Sequence, residues 1–163
     1  MQSLRKTLAA KLNNAQRIAV LGIGSDLRAD DSAGERVVRA LQARCKDACG
    51  KARFFFGSTA PENLTGEIKR YKPSHIIIID SAELEKKPGA IQVLSPKEIA
   101  GASFSTHRLP TKILVEYLMQ SLACKVLVIG IQPKSLVFGK SVSPEVDKAI
   151  EELSAAIAEV LAR

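Results

Sequence analysis

Tryptophan is missing from this sequence, and all aromatic residues together make up only 4% of its 163 residues. The hydrophobic core must therefore be aliphatic, and a hydrophobic content of 46% is enough to build one. The sequence also has no apolar run near the roughly 18 residues that span a bilayer. Its first apolar run, Ile18 to Ile23, is short and lacks the features of a signal peptide. These absences predict a soluble, cytoplasmic protein without membrane insertion.

Cysteine is also scarce, with three residues in the chain. Cys45 and Cys49 are one helical turn apart, which would allow a metal site or a redox pair. However, no second Cys/His pair with zinc-site spacing accompanies them. We therefore expect the cysteines to be small apolar residues or free thiols.

The net charge is +7, with Lys and Arg spread along the chain. This charge is compatible with nucleic-acid binding, but the sequence has no basic stretch interleaved with aromatic residues and no nucleic-acid-binding motif. The charge instead favours a solvated surface or an acidic protein partner. The length predicts one domain, residues 1–163, which can bury its own core and is expected to be a monomer.

Apolar runs rich in isoleucine, valine and phenylalanine alternate with amphipathic stretches. Five runs are typical of strands: 17–24, 53–57, 75–80, 90–94 and 125–133. The four isoleucines of the third run predict a central strand, and the alternation in the fourth predicts an edge strand. Helical patterns cover the first dozen residues, 31–45, 61–71, 110–122 and the stretch from 144. The sequence predicts an α/β fold, a three-layer αβα sandwich with a mostly parallel, twisted, five-stranded sheet and helices on both faces.

Local signals also predict helix ends and faces. Thr59 and Glu62 have the spacing of a capping box, and Ser143 precedes Pro144 as an N-cap residue precedes the first residue of a helix. The helix over 110–122 is expected to bury one apolar face. That face comprises Ile113, Leu114, Tyr117, Leu118 and Leu122.

The stretch from Gly22 to Gly34, GIGSDLRADDSAG, follows the first predicted strand. A dinucleotide-binding GxGxxG motif that began at Gly22 would need glycine where Leu27 stands, and the carboxylates of this stretch would repel a pyrophosphate. The chain also lacks a Walker-type phosphate loop and the GxSxG elbow of a serine hydrolase. The sequence therefore argues against a nucleotide site and a serine triad.

Asp30 and Asp31 stand side by side at the start of the second predicted helix. A carboxylate there complements the helix dipole and caps free N–H groups, which contributes about 0.3–1 kcal/mol. Asp30 is the natural N-cap, so Asp31 is available to point into a crevice. Asp80 ends the isoleucine-rich run, and an acid at the carboxyl end of a central parallel strand lies at the crevice mouth.

His107 lies in a polar loop, FSTHRLP, before a helix. The other histidine, His75, precedes the central strand at its opposite end and is expected at the surface or the edge of the core. Together with Asp31 and Asp80, His107 would complete a set of two oxygen donors and one nitrogen donor. Three protein ligands with vacant positions are typical of a metal site that accepts a further ligand.

Five motifs, in the same order, resemble those of the nickel–iron hydrogenase maturation endopeptidases. They are GIGSDLRADDSAG, GSTAPEN, IIIIDSAEL followed by PGAIQVL, STHRLP, and GIQP. The first resembles the family pattern G-x-G-N-x-L-x-x-D-[DE]-x-x-G, with Ser25 in place of the usual Asn and Ser32 in place of a frequent Gly or Ala. The second is similar to the branch that acts on formate-hydrogenlyase and energy-converting hydrogenases.

The resemblance implies an endopeptidase that removes a short C-terminal extension from the precursor of a hydrogenase large subunit. It implies that nickel in the precursor is the recognition signal, and that Asp31, Asp80 and His107 are the catalytic and nickel-contacting residues. The ion could polarise the scissile carbonyl or activate a water. Alternatively, nickel could only position the substrate while one of the two aspartates acts as the general base. A chaperone that binds nickel without cleaving is the alternative function.

Overall fold

A computed structural model describes residues 2–45, 50–94, 98–99, 103–104 and 111–162. The strands are β1 (Ile18–Ile23), β2 (Ala52–Ser58), β3 (His75–Glu83), β4 (Ile91–Leu94), β5 (Ser103–Phe104) and β6 (Lys125–Ile131). The helices are α1 (Gln2–Lys11), α2 (Ala33–Cys45), α3 (Thr65–Tyr71), α4 (Thr111–Ser121) and α5 (Pro144–Leu161). Short 3₁₀ helices, Ala29–Ser32 and Pro61–Leu64, lead into α2 and α3.

The main sheet has the strand order β2-β1-β3-β6-β4, and β5 pairs with β3 outside this path. The pairs β1–β2, β1–β3 and β3–β6 are parallel, and β4 joins β6 as an antiparallel edge strand. This arrangement confirms the predicted five-stranded, mostly parallel sheet. It also confirms the central isoleucine strand and the edge strand. The helices cover both faces, as predicted.

The central strand is longer than its apolar run. Asp80 was expected to end it, but β3 continues to Glu83. The cause is that Asp80 and Ser81 still find partners in β6, and Ala82 pairs with β5. Hydrophobicity marks where the strand is covered on both faces, whereas the availability of backbone partners decides where it ends.

Two aliphatic clusters enclose the sheet. Ile77 and Ile79 point to the cluster formed with α1, α2 and α5, whereas Ile76 and Ile78 point to the one formed with α3 and α4. This division follows from the alternation of side chains along a strand. All four isoleucines are completely buried, which explains why the run is apolar without alternation.

Two predicted helix caps do not form as expected. The 3₁₀ helix before α3 has Ala60 as its N-cap residue and no side-chain cap, so the capping box of Thr59 and Glu62 was wrong. Ser143 does occupy the N-cap position before Pro144, but its side chain does not cap α5. Its hydroxyl donates instead to Asp30.

The buried face of α4 also differs from the prediction. Leu114, Val115 and Leu118 are buried, whereas Ile113 and Tyr117 are 46% and 43% exposed. The periodicity of the sequence is compatible with two overlapping faces, one that includes Ile113 and Tyr117 and one that includes Val115. Packing against the sheet selects the second. Within the described ranges, no helix is long and apolar enough to cross a bilayer.

Cys45 packs in the core at the end of α2 and takes part in a disulfide bond. The expectation of an unpaired thiol was therefore wrong for Cys45, while Cys124 is free. Cys49 lies outside the described residues. Spacing in the sequence does not distinguish a free thiol from a paired one.

His75 opens β3 and is only 5% exposed. Burial, and secondarily the charge of Lys125, lower the pKa of its imidazole below the ordinary value of 6.5. The unfolded chain then binds the proton more readily, so this contribution to stability is present above the unfolded pKa and is lost as the pH falls through the folded pKa. We expect the free energy of unfolding, measured by urea titration, to decrease from about pH 7.5 to about pH 5. The His75→Gln variant should decrease less steeply, and identical slopes would contradict this.

Candidate functional site

The sheet reverses its winding between β1 and β3. From β1 the chain passes through α2, on one face, to β2, whereas α4, which leads into β6, lies on the opposite face. In open α/β sheets, ligands bind in the crevice beyond the carboxyl ends of the strands at such a switch point. The register of β1 with β3 ends at Gly22 and Ile79. The residues that follow these two positions therefore border the crevice.

Glycines bring the start of α2 onto the ends of both strands. A Cβ on Gly34 would lie 2.1 Å from the carbonyl oxygen of Ile79 and 2.4 Å from that of Ile23. Gly24 has a φ of +144°, and a Cβ there would lie 1.8 Å from the carbonyl oxygen of Asp31. The glycines of this motif therefore serve a close approach of backbone segments rather than a phosphate. This approach places Asp31 at the crevice.

Asp31 is 3% exposed and connects the ends of the two strands. The backbone N–H of Ser25 donates to its Oδ2 at 3.1 Å, and the hydroxyl of Ser81 donates to its Oδ1 at 3.4 Å. The bond from Ser25 comes from its main chain, so it does not require the Asn that is usual at that position in the motif. The side chain of Ser25 instead accepts a hydrogen bond from the N–H of Leu27.

Asp80 is completely buried on the other side of β3. The hydroxyl of Thr111, at the start of α4, donates to its Oδ2 at 2.9 Å. Because successive side chains of a strand alternate, Asp80 faces α4 while Ser81 faces α2 and Asp31. The two carboxylates thus lie at the same edge of the sheet, on either side of one strand.

His107 lies outside the described residues. It precedes Thr111 by four residues in the sequence. Within the part of the chain that the structure describes, no group of three or more His, Cys, Asp or Glu residues could hold a metal ion. The structure thus brings Asp31 and Asp80 to one edge, and the proposed third ligand stays a prediction.

Asp30 is not the predicted N-cap. Arg28 occupies the position before the 3₁₀ helix, and its side chain makes no capping bond. The Asp30 carboxylate accepts bonds from the N–H of Lys134 at 2.8 Å, of Ser135 at 3.0 Å and of Ser143 at 2.6 Å, and from the Ser143 hydroxyl at 2.9 Å. The loop after β6 supplies these donors, so the buried carboxylate is satisfied by a distant segment rather than by its own helix.

Gln132 was not singled out from the sequence, although it lies in the GIQP motif. Its Oε1 accepts from the N–H of Leu84 at 2.7 Å and of Lys86 at 3.3 Å, and its Nε2 donates to Glu83 at 3.1 Å. This side chain therefore braces the segment that follows β3. Ser81 and Thr111 were missed as well, because their only signal is a contact with an aspartate that is distant in the sequence.

These features define a doubly wound α/β protein whose switch point, among the residues that the structure describes, holds two buried carboxylates and no phosphate-binding turn. Carboxylates in such a setting suit cation binding or acid–base hydrolysis. The sequence model of the hydrogenase maturation protease HycI matches residues 35–160. The chain belongs to the hydrogenase maturation protease family, as its motifs predicted.

Relatives and solved structures agree with this membership. A Methanocaldococcus jannaschii protein, whose name gives it as a hydrogenase maturation protease, is 32% identical over 97% of this chain and 96% of its own length. The hydrogenase 3 maturation protease of Escherichia coli is 28% identical over 81% of this chain and 83% of its own. The crystal structure of the [NiFe] hydrogenase maturation protease HycI from Thermococcus kodakarensis superposes with a TM-score of 0.87. It is 27% identical and covers 96% of this chain and 99% of its own.

Proposed function

We propose that the protein is an endopeptidase that removes a C-terminal extension from the precursor of a nickel–iron hydrogenase large subunit. Membership of the maturation protease family, over nearly the whole chain, supports the hydrolase class and the substrate class. One observation of the structure carries the proposal. Two buried carboxylates, Asp31 and Asp80, lie on the two sides of β3 at the switch point, where the pairing of β3 with β1 ends.

In this proposal, nickel belongs to the substrate and is the recognition signal. Asp31 and Asp80 would contact the ion together with His107, while cysteine thiolates of the precursor hold its other positions. Carboxylate and imidazole groups are suitable ligands for Ni²⁺. The placement of the two aspartates at one edge supports this role, because an ion beside β3, beyond the point where its pairing with β1 ends, could reach a carboxylate from each side of the strand.

The peptide bond can be broken in two ways that use the same side chains. The ion can polarise the scissile carbonyl or activate a water. In an aspartic-type scheme, Asp31 or Asp80 takes a proton from the attacking water while nickel only positions the substrate. The burial of both carboxylates supports either scheme, since a site shielded from bulk water strengthens electrostatic interactions.

A comparison of nickel-loaded with nickel-free precursor tests this function. We expect the purified protein to shorten the loaded precursor at its C-terminus and to leave the nickel-free form intact, because only the loaded form offers the ion to the carboxylates. Intact-mass spectrometry of the large subunit measures the product. The precursor without protease is the control for spontaneous cleavage.

The other outcomes of this experiment separate the alternatives. Binding of the loaded precursor without a mass change would favour a non-cleaving nickel-binding chaperone. Equal processing of both forms would contradict nickel-gated recognition. We further propose that the protein acts in the cytoplasm and does not bind nucleic acid, which the composition of the sequence supports. We also propose that it is a monomer, because one domain of this length can bury its own core.

A further inference from the structure

Three large hydrophobic side chains are exposed together at the carboxyl edge of the sheet. Leu27, in the loop after β1, is 62% exposed; Val137 and Phe138, in the loop after β6, are 55% and 71% exposed. The two loops are joined directly, since the N–H of Gly139 donates to the carbonyl oxygen of Leu27 at 2.8 Å. We call these three side chains the apolar tip.

The loops that carry the apolar tip are held in place by buried polar contacts. The completely buried Asp30 carboxylate accepts four hydrogen bonds from the loop after β6, on both sides of Val137 and Phe138 in the sequence. Its own N–H donates to the carbonyl oxygen of Ser135 at 3.1 Å. The tip is therefore a pre-formed feature, and pre-formed loops lose less conformational entropy on binding than mobile ones.

The apolar tip is continuous with the candidate site. The N–H of Leu27 donates to the hydroxyl of Ser25, whose own N–H donates to Asp31. Asp30, which anchors the opposite loop, is the residue next to Asp31. The tip therefore lies beside the segment that carries Asp31, and we expect a polypeptide that presents a peptide bond to Asp31 to pass close to it.

We propose that the apolar tip docks into an apolar pocket on the hydrogenase large-subunit precursor, beside its C-terminal extension. This inference depends on the proposed function. Burial of these side chains would remove apolar surface from water, which is the main favourable term in protein association. Three side chains are too few for a stable interface between two copies of this chain, which buries on the order of 1,200–2,000 Å². They suffice as one part of a contact that also includes the crevice.

The test compares three proteins on nickel-loaded precursor: wild type, the double variant Leu27→Ser/Phe138→Ser, and Met119→Ser. Met119 is a matched control, because it is 53% exposed on α4 and lies outside the tip. We expect the double variant to raise KM about tenfold or more, with kcat at saturation within about twofold of wild type, since lost docking weakens binding without touching the carboxylates. The control should match wild type. Circular dichroism and thermal melting establish that each variant is folded.

Calorimetric titration of each protein with nickel-free precursor, which is expected to stay intact, provides a readout independent of cleavage. We expect the double variant to lose about tenfold in affinity, or about 1.4 kcal/mol.

Wild-type KM and affinity in the double variant would overturn the docking proposal while leaving the protease assignment intact. A fall in kcat alone would overturn it too. Sedimentation experiments test another occupant of the tip. If wild type were a dimer and the double variant a monomer with unchanged KM, the tip would instead bind a second copy of the chain. Failure of wild type to cleave would refute the proposed function, and the titration would still decide the docking.

Discussion

Replacement of Asp31 or Asp80 by asparagine should lower the rate of precursor cleavage by about 10²–10⁴-fold. Asparagine keeps the shape of the side chain and one acceptor oxygen, so the hydrogen bonds from Ser25 and Thr111 can persist. It removes the negative charge that a metal ligand or a general base requires. Single-turnover cleavage of nickel-loaded precursor, followed by mass spectrometry, measures the effect.

An exposed acid gives the matched control for these substitutions. Asp147 lies on the solvent side of α5, so Asp147→Asn should cleave at the wild-type rate. Wild-type cleavage by both Asp31→Asn and Asp80→Asn would refute the assignment of this edge as the active site. The affinity for loaded precursor separates the two schemes: loss of a nickel ligand weakens both binding and rate, whereas loss of a general base lowers the rate alone.

The Gly34→Ala variant should lose about 3 kcal/mol or more in free energy of unfolding. Its new Cβ would lie 2.1 Å from the carbonyl oxygen of Ile79 and 2.4 Å from that of Ile23. Both atoms belong to paired strands, so the helix must move instead. Any protein that still folds should also cleave slowly, because Asp31 would shift with the start of α2.

Gly66→Ala provides the comparison for the same chemical change in another helix. Gly66 is exposed on α3, and the nearest atom to a new Cβ is a guanidinium nitrogen of Arg70 at 3.8 Å. Alanine should therefore be neutral there or add about 0.5–1 kcal/mol, since glycine is a poor helix former. Chemical denaturation measures both variants. Equal stability of the two would show that the contact of α2 with the strand ends is not as close as the geometry indicates.

The common edge of Asp31 and Asp80 could be predicted from the sequence because both carboxylates are tied to predictable elements. Asp31 follows the first strand at a helix start, and Asp80 follows four isoleucines, so both had to lie at the carboxyl edge of a parallel sheet. His107 was selected as a third ligand from its polar loop, and the motif resemblance pointed to the same residue; its place in the structure stays a prediction. The partners of the two aspartates, Ser81 and Thr111, could not be predicted because neither residue type carries a signal of its own.

By itself, the sequence determined the layers of this protein and the edge at which its acids lie, because the hydrophobic pattern states which segments are covered on one face or both. It also determined the family, through motifs in a preserved order. Only the tertiary structure decided that Asp30 holds the loop after β6, that β3 extends past Asp80, and that α4 leaves Ile113 and Tyr117 exposed. Each of these depends on partners far away in the chain, and a local pattern contains no information about which distant donors or surfaces will meet it.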